Sequence, residues 1–375
     1  MLEKNIKMRY NFSMETKNEK EIAVLFGMSL NGEDGTVSLK ELERLAETAN
    51  VEVVGTLFQR AKEVTPATFI GSGKVLELKE LIEQTGANLA ICDNELSGSQ
   101  INNISNEIGV KVVDRTTLIL DIFAKRALSN EGKLQVELAM LKYYLPRLSG
   151  ISGTSGRFGS GGVGMRGPGE TKLELDKRKI RDQIQKLETQ IKKFKSEREL
   201  RRKNRNTSAV KRVSIVGYTN AGKSTLMNLI TKAGIYADDK LFATLDTTTR
   251  LLWLAQGKQI VLTDTVGFIS NLPPAFEPAF SATLEEVLES DLILHLIDIT
   301  DKHHEMQEKV VKNELEKIGA NEIPVLKIYN KVDKLEKIEL EKIQGLEKNA
   351  LFISAKKGEN IEPLKEKIME ILWNS

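Results

Sequence analysis

Lys211-Arg-Val-Ser-Ile-Val-Gly-Tyr-Thr-Asn-Ala-Gly-Lys-Ser-Thr225 is the stretch whose reading decides the fold. Val213, Ile215 and Val216 form a short apolar run, long enough for one buried strand. The run stops at Gly217, and Gly217 to Ser224 fits the pattern glycine, four residues, Gly-Lys-Ser/Thr of a phosphate-binding loop. Gly217 and Gly222 let the backbone curl, so that successive N–H groups through Tyr218, Thr219, Asn220 and Ala221 point inward at a phosphate. A helix starting near Lys223 and continuing through Thr225 adds its positive end. Lys223 then reaches the outer phosphates, and the Ser224 hydroxyl can ligate the magnesium ion that accompanies them.

The residues downstream say which nucleotide. Phe242, Ala243, Thr244, Leu245 and Asp246 form a polar loop before Leu251-Leu-Trp-Leu254. Thr244 is placed to coordinate Mg2+ when a γ-phosphate is present, so this loop orders only in the triphosphate state. Ile260-Val-Leu-Thr-Asp264 reads as a strand delivering Asp264 beside the metal, where it acts through a water. Thr265, Val266 and Gly267 follow, and the Gly267 N–H would bind the γ-phosphate and sense its loss. Ile323 to Tyr329 reads as another strand, ending in Asn330, Lys331, Val332 and Asp333. Asp333 can accept two hydrogen bonds from guanine N1–H and the 2-amino group, which adenine lacks. Asn330 can reach N7 or neighbouring loop atoms, and the Lys331 stem covers the base face. Ser354, Ala355 and Lys356 close the pocket, with the Ala355 N–H offered to guanine O6. Four such segments in order, at domain-like spacing, indicate a GTP/GDP-binding hydrolase.

Catalysis is expected to rest on Lys223, Thr244, Gly267 and Asn220. A water-positioning glutamine belongs just after Gly267, but Phe268 stands there, and phenylalanine can neither orient nor deprotonate water. Intrinsic hydrolysis is therefore expected to be slow, with a partner or a monovalent cation supplying the missing stabilisation. Asn220 resembles the asparagine that potassium-activated GTPases use as a K+ ligand; the plainer reading is that it stabilises the loop.

The 375 residues suffice for two or three domains. Cys92 is the single cysteine, which excludes a disulfide framework, and His295, His303 and His304 are too few and badly spaced for a metal cluster. Met1 to Lys20 is charged throughout, without the apolar centre of a signal peptide, and no apolar run reaches the roughly 20 residues of a membrane span. These features predict a cytoplasmic monomer without a membrane anchor. Net charge is +2, but Lys177 to Arg212 holds 15 Lys/Arg against 4 Asp/Glu. A basic block on an acidic body indicates a polyanionic partner; the alternative is a solvated helical face.

Residues 1–116 read as a small N-terminal α/β domain. Glu21–Gly27, Val51–Leu57, Asn88–Asp93 and Val110–Asp114 are strand candidates. They alternate with helical patterns at Leu39–Ala49 and Lys74–Thr85, which favours a largely parallel sheet. Phe69-Ile-Gly-Ser-Gly-Lys74 imitates a phosphate loop, but Thr68 and Val75 break the pattern, so it reads as a turn before a helix. From 117 to 210 the pattern is helical. Leu118, Ile122, Phe123, Leu134, Leu138, Leu141 and Leu145 mark the first arm, which Pro146 is expected to end. Ile180, Ile184, Leu187, Ile191 and Phe194 give the second arm a heptad seam. Between the arms, 150–169 contains nine of the chain's 27 glycines, Arg157 and Arg166, and no acid. The whole is α/β: an N-terminal α/β domain, a helical hairpin tipped by a glycine-rich loop, and a phosphate-loop G domain at 211–375 with a mostly parallel sheet.

From about Thr68 onward the chain resembles the HflX-type GTPases of the Obg–HflX group. The resemblance is carried by Asp114-Arg-Thr-Thr-Leu-Ile-Leu-Asp-Ile-Phe-Ala124, Glu131-Gly-Lys-Leu-Gln-Val-Glu-Leu138, Leu145-Pro-Arg-Leu148, Arg166-Gly-Pro-Gly-Glu-Thr-Lys172, Phe242-Ala-Thr-Leu-Asp246 and Thr283-Leu-Glu-Glu286. It implies GTP- or ATP-dependent binding to ribosomal RNA of the large ribosomal subunit, the glycine loop reaching toward the peptidyl-transferase region, and dissociation or rescue of stalled ribosomes. It also carries the Mg2+ roles onto Ser224 and Thr244. Thr247, Ser97-Gly98 and Pro273-Pro-Ala-Phe-Glu-Pro278 depart from the family pattern, and they bear on switch behaviour rather than on nucleotide identity. Two other readings stand beside this one: an NTPase remodelling structured RNA, and a GTP-timed switch with a protein or membrane partner. DNA is not an expected partner, and part of the protein is expected on the ribosome or at a membrane.

Overall fold

A computed structural model of the chain describes residues 20–30, 35–151, 172–205, 210–231, 241–242, 247–255, 257–270, 276 and 284–373. The glycine-rich loop beyond Ile151 and the loop at Ala243–Asp246 lie outside them, as do Thr283 and most of Pro273–Pro278. The described residues fall into two compact units, one drawn from 1–125 and 133–196, the other from 126–132 and 197–375.

In the first unit four strands, β1 (Ile22–Leu30), β2 (Glu52–Ala61), β3 (Leu89–Cys92) and β4 (Lys111–Asp114), form a sheet of order β2-β1-β3-β4, parallel at every pairing. Helices α1 (Thr36–Thr48), α2 (Ser72–Thr85) and α3 (Gly98–Ile108) connect them, as parallel pairing requires. The alternation read from sequence is present, with strands and helices shifted by a few residues. Burial explains it: β1 is covered along nearly its whole length, and Val24, Phe26, Val75, Leu78, Ile82 and Ile104 share one apolar cluster. The imitation phosphate loop is the turn into α2, where the Gly71 N–H donates to Gln59 Oε1 at 3.0 Å.

The first helical arm is two helices, α4 (Arg115–Arg126) and α5 (Asn130–Ile151). Pro146 does not end α5, contrary to the sequence expectation; the helix runs five residues further. Proline forfeits the hydrogen bond to the carbonyl one turn back, and here it is exposed, so that carbonyl can turn to water. The turn around it is pinned from the other side. Tyr144 and Leu148 are buried, and the Arg147 guanidinium lies 3.6 Å from the Tyr143 ring centroid, donates to Leu96 O at 2.9 Å and pairs with Glu95. A Cβ on Gly98 would approach Arg147 O to 2.2 Å, so the start of α3 and the end of α5 meet backbone to backbone.

Asp114 organises this junction. Its Oδ1 accepts from the Thr117 N–H and hydroxyl, at 2.9 and 2.8 Å, and caps α4; its Oδ2 accepts from Leu96 N–H at 3.1 Å and from the Tyr143 hydroxyl. Burial, with the Asp114 charge behind it, pushes the Tyr143 pKa well up, so the phenol remains a donor. Arg115 pairs with Asp93 at 2.8 Å and Glu41 at 2.7 Å. Helix α6 (Lys172–Arg205) runs antiparallel to α5, as Lys177 Nζ–Ser149 Oγ, Gln183 Nε2–Glu137 Oε1 and Lys142–Glu188 contacts at 2.6, 3.2 and 2.7 Å require. Ile180 and Leu187 of the seam are buried, while Arg178, Lys179, Arg181, Lys186, Lys192, Lys193 and Lys195 are exposed.

The second unit carries a six-stranded sheet of order β10-β9-β8-β5-β7-β6. Its strands are β5 (Lys211–Gly217), β6 (Thr248–Ala255), β7 (Lys258–Asp264), β8 (Leu292–Asp298), β9 (Val325–Asn330) and β10 (Leu351–Phe352); only β6 pairs antiparallel. Helices α7 (Lys223–Thr231), α8 (His304–Lys317), α9 (Lys337–Leu346) and α10 (Ile361–Trp373) complete it. Val213, Ile215, Leu262, Leu294 and Ile328 build the core with Leu226, Leu364 and Ile368. No helix among the described residues is long and apolar enough to cross a membrane.

His295 lies inside β8, 6% exposed. Burial, reinforced by the Lys327 and Lys223 charges, lowers its pKa to about 4 from 6.5. Between these values the unfolded chain takes up a proton that the folded unit refuses. Stability is therefore full above pH 6.5 and declines as pH falls toward 4, by at most about 3 kcal/mol. Urea midpoints measured from pH 7.5 to 4.5 are expected to show this decline, and His295→Gln to lack this component of it.

Candidate functional site

Every described element of the site sits at the carboxyl edge of the second sheet, where α/β folds bind ligands. β5 ends at Gly217 because the chain must turn there under β8: a Cβ on Gly217 would stand 2.2 Å from Leu296 O. The loop Gly217–Gly222 then leads into α7, which starts at Lys223. Gly222 has φ 96°, and a Cβ there would meet Asn330 Nδ2 at 2.4 Å, so both its conformation and its neighbour demand glycine. Asn220 at the crest takes φ 62°, a left-handed value that asparagine tolerates.

Lys223 is buried, its ammonium donating to Gly217 O at 3.1 Å and Tyr218 O at 3.0 Å. Burial lowers its pKa to about 8, with the Asp264 carboxylate working against the drop. A cation held in so dry a place is matched to an anionic ligand. One residue on, Ser224 Oγ donates to Asp264 Oδ2 at 2.7 Å, so the two proposed magnesium groups from α7 and β7 are adjacent. Both offer hard oxygen donors, which suit Mg2+. Among the described residues no group of three or more His, Cys, Asp or Glu could hold a metal. Thr225 lies within the first turn of α7, half-buried.

After Asp264 the Thr265 hydroxyl donates to Ile215 O at 2.8 Å, Val266 is fully buried, and Gly267 lies against Thr219 and Lys223. Phe268 is 1% exposed and main-chain bonded to the phosphate loop. Its ring faces the interior, and a phenyl ring carries no group that could hold water.

At the base end, the Asn330 amide Nδ2 donates to Ala221 O at 2.8 Å, and its Oδ1 accepts the Ala355 N–H at 2.9 Å. Of the two contacts open to it from sequence, the structure shows the one with neighbouring loop atoms. Lys331 takes φ 68° and its ammonium pairs with Asp298 Oδ2 at 2.6 Å, which fixes the stem that would cover a base. Val332 is buried and donates its N–H to Ile353 O at 3.3 Å. Asp333 Oδ1 accepts from Ser354 Oγ at 2.7 Å. That bond holds the Asp333 carboxyl below its ordinary pKa, leaving it an ionised acceptor at neutral pH. Ala355 is buried and Lys356 exposed at the rim.

The structure thus joins the phosphate loop, Asp264–Gly267, Asn330–Asp333 and Ser354–Ala355 through direct hydrogen bonds. Of the loop before β6, Phe242 is buried with φ 53°, while Ala243, Thr244, Leu245 and Asp246 lie outside the described residues. Two contributors escaped the sequence reading. Asp298 positions Lys331, and its only signal was its place at the end of β8. Ser270 bonds the Tyr218 hydroxyl at 2.6 Å and left no motif at all.

Three family descriptions match: "GTP-binding GTPase N-terminal" over residues 36–124, "GTP-binding GTPase Middle Region" over 126–205, and "50S ribosome-binding GTPase" over 212–331. GTPase HflX of Caldanaerobacter subterraneus subsp. tengcongensis is 49% identical over 96% of this chain and 82% of its own length. GTPase HflX of Escherichia coli K12 is 42% identical over 94% and 83%. Among solved structures, SsGBP bound to GDP aligns at TM-score 0.55, with 26% identity, covering 94% of this chain and 98% of that one. A GTP-binding protein of Sulfolobus solfataricus with GDP aligns at 0.50, with 28% identity and the same coverage.

Asn330→Ala removes the strut between the phosphate and base loops and leaves the Ala221 carbonyl and Ala355 amide unpaired in the interior. The expected result is a loss of roughly 2–4 kcal/mol in stability of the second unit, together with weaker binding of GTP and GDP alike. Denaturant titration and nucleotide titration of the purified variant measure both.

Proposed function

The chain belongs to the HflX family of GTPases, and from that premise we propose that it binds the large ribosomal subunit and dissociates or rescues stalled ribosomes in a nucleotide-dependent way. The observation that carries this reading is the presence, in one chain, of an aligned guanine-type pocket and a 34-residue helix with a basic exposed face. The proposed division of labour follows the chain: residues 1–116 as an N-terminal domain, 117–210 as the RNA-docking hairpin, 211–375 as the G domain.

The residues divide the chemistry by position. The backbone of Gly217–Gly222 and the Lys223 ammonium hold the phosphates, with charge aimed where negative charge develops during transfer. Asp333, oriented by Ser354, selects guanine. The Ala355 N–H, expected from sequence to reach O6, is instead taken by Asn330 Oδ1 at 2.9 Å, so Ala355 serves the pocket by tying the base loop to Asn330. Ser224 and Thr244 would hold Mg2+, with Asp264 acting through a water; the ion supplies charge neutralisation between the outer phosphates. The Gly267 N–H reads the terminal phosphate. Asn220 would serve as a K+ ligand. Because Phe268 cannot position water, intrinsic turnover is slow and a partner stimulates it; the match to a 50S ribosome-binding GTPase family supports the ribosome as that partner. Exposed lysines and arginines of α6 would dock on RNA phosphates, so binding should weaken steeply with salt.

The deciding measurement is GTP hydrolysis with and without purified large ribosomal subunits, in potassium and in sodium buffer. Stimulation of at least about tenfold by the subunit is expected, with potassium faster than sodium. Asp333→Asn should trade GTP for XTP under the same conditions. Hydrolysis indifferent to the subunit, with nucleotide binding intact, would transfer the reading to a protein-partnered switch. Equal rates in the two salts would remove Asn220 from the cation role.

A further inference from the structure

The phosphate loop and the segment after Asp264 are fastened together more tightly than phosphate binding requires. Tyr218 and Phe268 form a parallel bridge, in which the Thr219 N–H donates to Phe268 O at 2.8 Å and the Phe268 N–H donates to Gly217 O at 3.1 Å. Two residues on, the Tyr218 hydroxyl lies 2.6 Å from Ser270 Oγ and accepts the Ser270 N–H at 2.7 Å. Tyr218 is 8% exposed and Phe268 1%, so these bonds are largely shielded from water.

Gly267 shows the consequence. A Cβ placed on it would come within 2.8 Å of Thr219 Cγ2 and 3.0 Å of both Thr219 Cα and Lys223 Nζ. The Gly267 Cα is thus packed directly against the phosphate loop at Thr219, with the Lys223 ammonium beside it. A terminal phosphoryl group that accepts from both Lys223 and the Gly267 N–H has to enter next to this packed face, so the bonds that hold the segment down bear on how such a group seats.

We propose that the Tyr218–Ser270 hydroxyl pair, together with the Tyr218/Phe268 bridge, is a latch that closes the terminal-phosphate position, so that Tyr218 and Ser270 set the discrimination between GDP and GTP. The proposal rests on the guanine-nucleotide reading of the site. A diphosphate reaches its place with the latch shut. A triphosphate needs it open, and its apparent affinity is reduced by the fraction of molecules that are open. Tyr218 and Ser270 act through the Gly267 backbone and are positioning residues, not catalytic ones.

The test uses the full chain and its Tyr218→Phe, Ser270→Ala and double variants, titrated with fluorescent GDP and with a fluorescent non-hydrolysable GTP analogue. Tyr218→Phe keeps the buried ring and removes only the hydroxyl, and Ser270→Ala lies outside the phosphate loop. In Ser270→Ala GDP affinity is expected to stay within about twofold while analogue affinity rises roughly three- to tenfold, the equivalent of one net hydrogen bond. In Tyr218→Phe, which lies in the phosphate loop, the readout is the ratio of analogue to GDP affinity, which should rise at least as far. The double variant should match Tyr218→Phe, which removes both bonds to the phenol, whereas Ser270→Ala leaves the Ser270 N–H bonded to it. General damage to the loop would weaken both nucleotides, the opposite of the expected gain, and would overturn the latch. An unchanged or increased preference for GDP in Ser270→Ala would overturn it as well. Wild-type protein that bound neither nucleotide would sink the underlying site reading, whereas normal binding with an unmoved ratio sinks the latch alone.

Discussion

Asn330 is 2% exposed, and both ends of its side-chain amide are bound to main chain. One end holds Ala221, 109 residues away, and the other holds Ala355, 25 residues away. A buried amide left unpaired costs about 1–3 kcal/mol at each end, so phosphate loop and base loop hold one another in register. The same side chain explains the neighbouring glycine, because any Cβ at Gly222 would collide with it. Ser354 extends the constraint to Asp333, and Ser224 extends the phosphate side to Asp264. The proposed base selector and the proposed magnesium groups thus belong to one bonded assembly rather than to four separate loops.

The N-terminal unit solves a comparable problem with charge. Asp114 ends β4, caps α4 and receives the Tyr143 phenol from α5, while Arg115 turns to Asp93 and Glu41. Buried ion pairs of this kind contribute little net stability when intact and are costly when one partner is lost. Their effect is to fix which helix packs where. The hairpin's first arm is thereby fastened to the small parallel sheet, and the basic second arm is fastened to the first through Lys177, Gln183 and Glu188.

Several elements were legible because their physics is local. The phosphate loop needs a strand, a tight glycine turn and a helix N-terminus in immediate succession, so its sequence is compact. The parallel sheets announced themselves as apolar runs alternating with helical patterns. Pro146 was misread for the converse reason. Whether proline ends a helix depends on where its orphaned carbonyl faces and on what pins the next turn, and here Glu95 and Gly98, from an earlier part of the chain, hold the neighbouring Arg147 in place. The first arm, read as helical from Thr117 onward, proved to be two helices separated at Ala127–Ser129, and α4 is buried on so many sides that its one-face pattern is lost.

By itself the sequence determined the class of both sheets, the guanine-type site and the basic arm, because each is set by residue types at fixed short spacing. Only the tertiary structure decided that Asn330 braces two loops, that Asp298 aims Lys331, and that Phe268 turns inward. It alone also placed the Ser270 hydroxyl against Tyr218. These are pairings between strand ends far apart in the chain, and distance in space between such ends is fixed by packing, which no local pattern encodes.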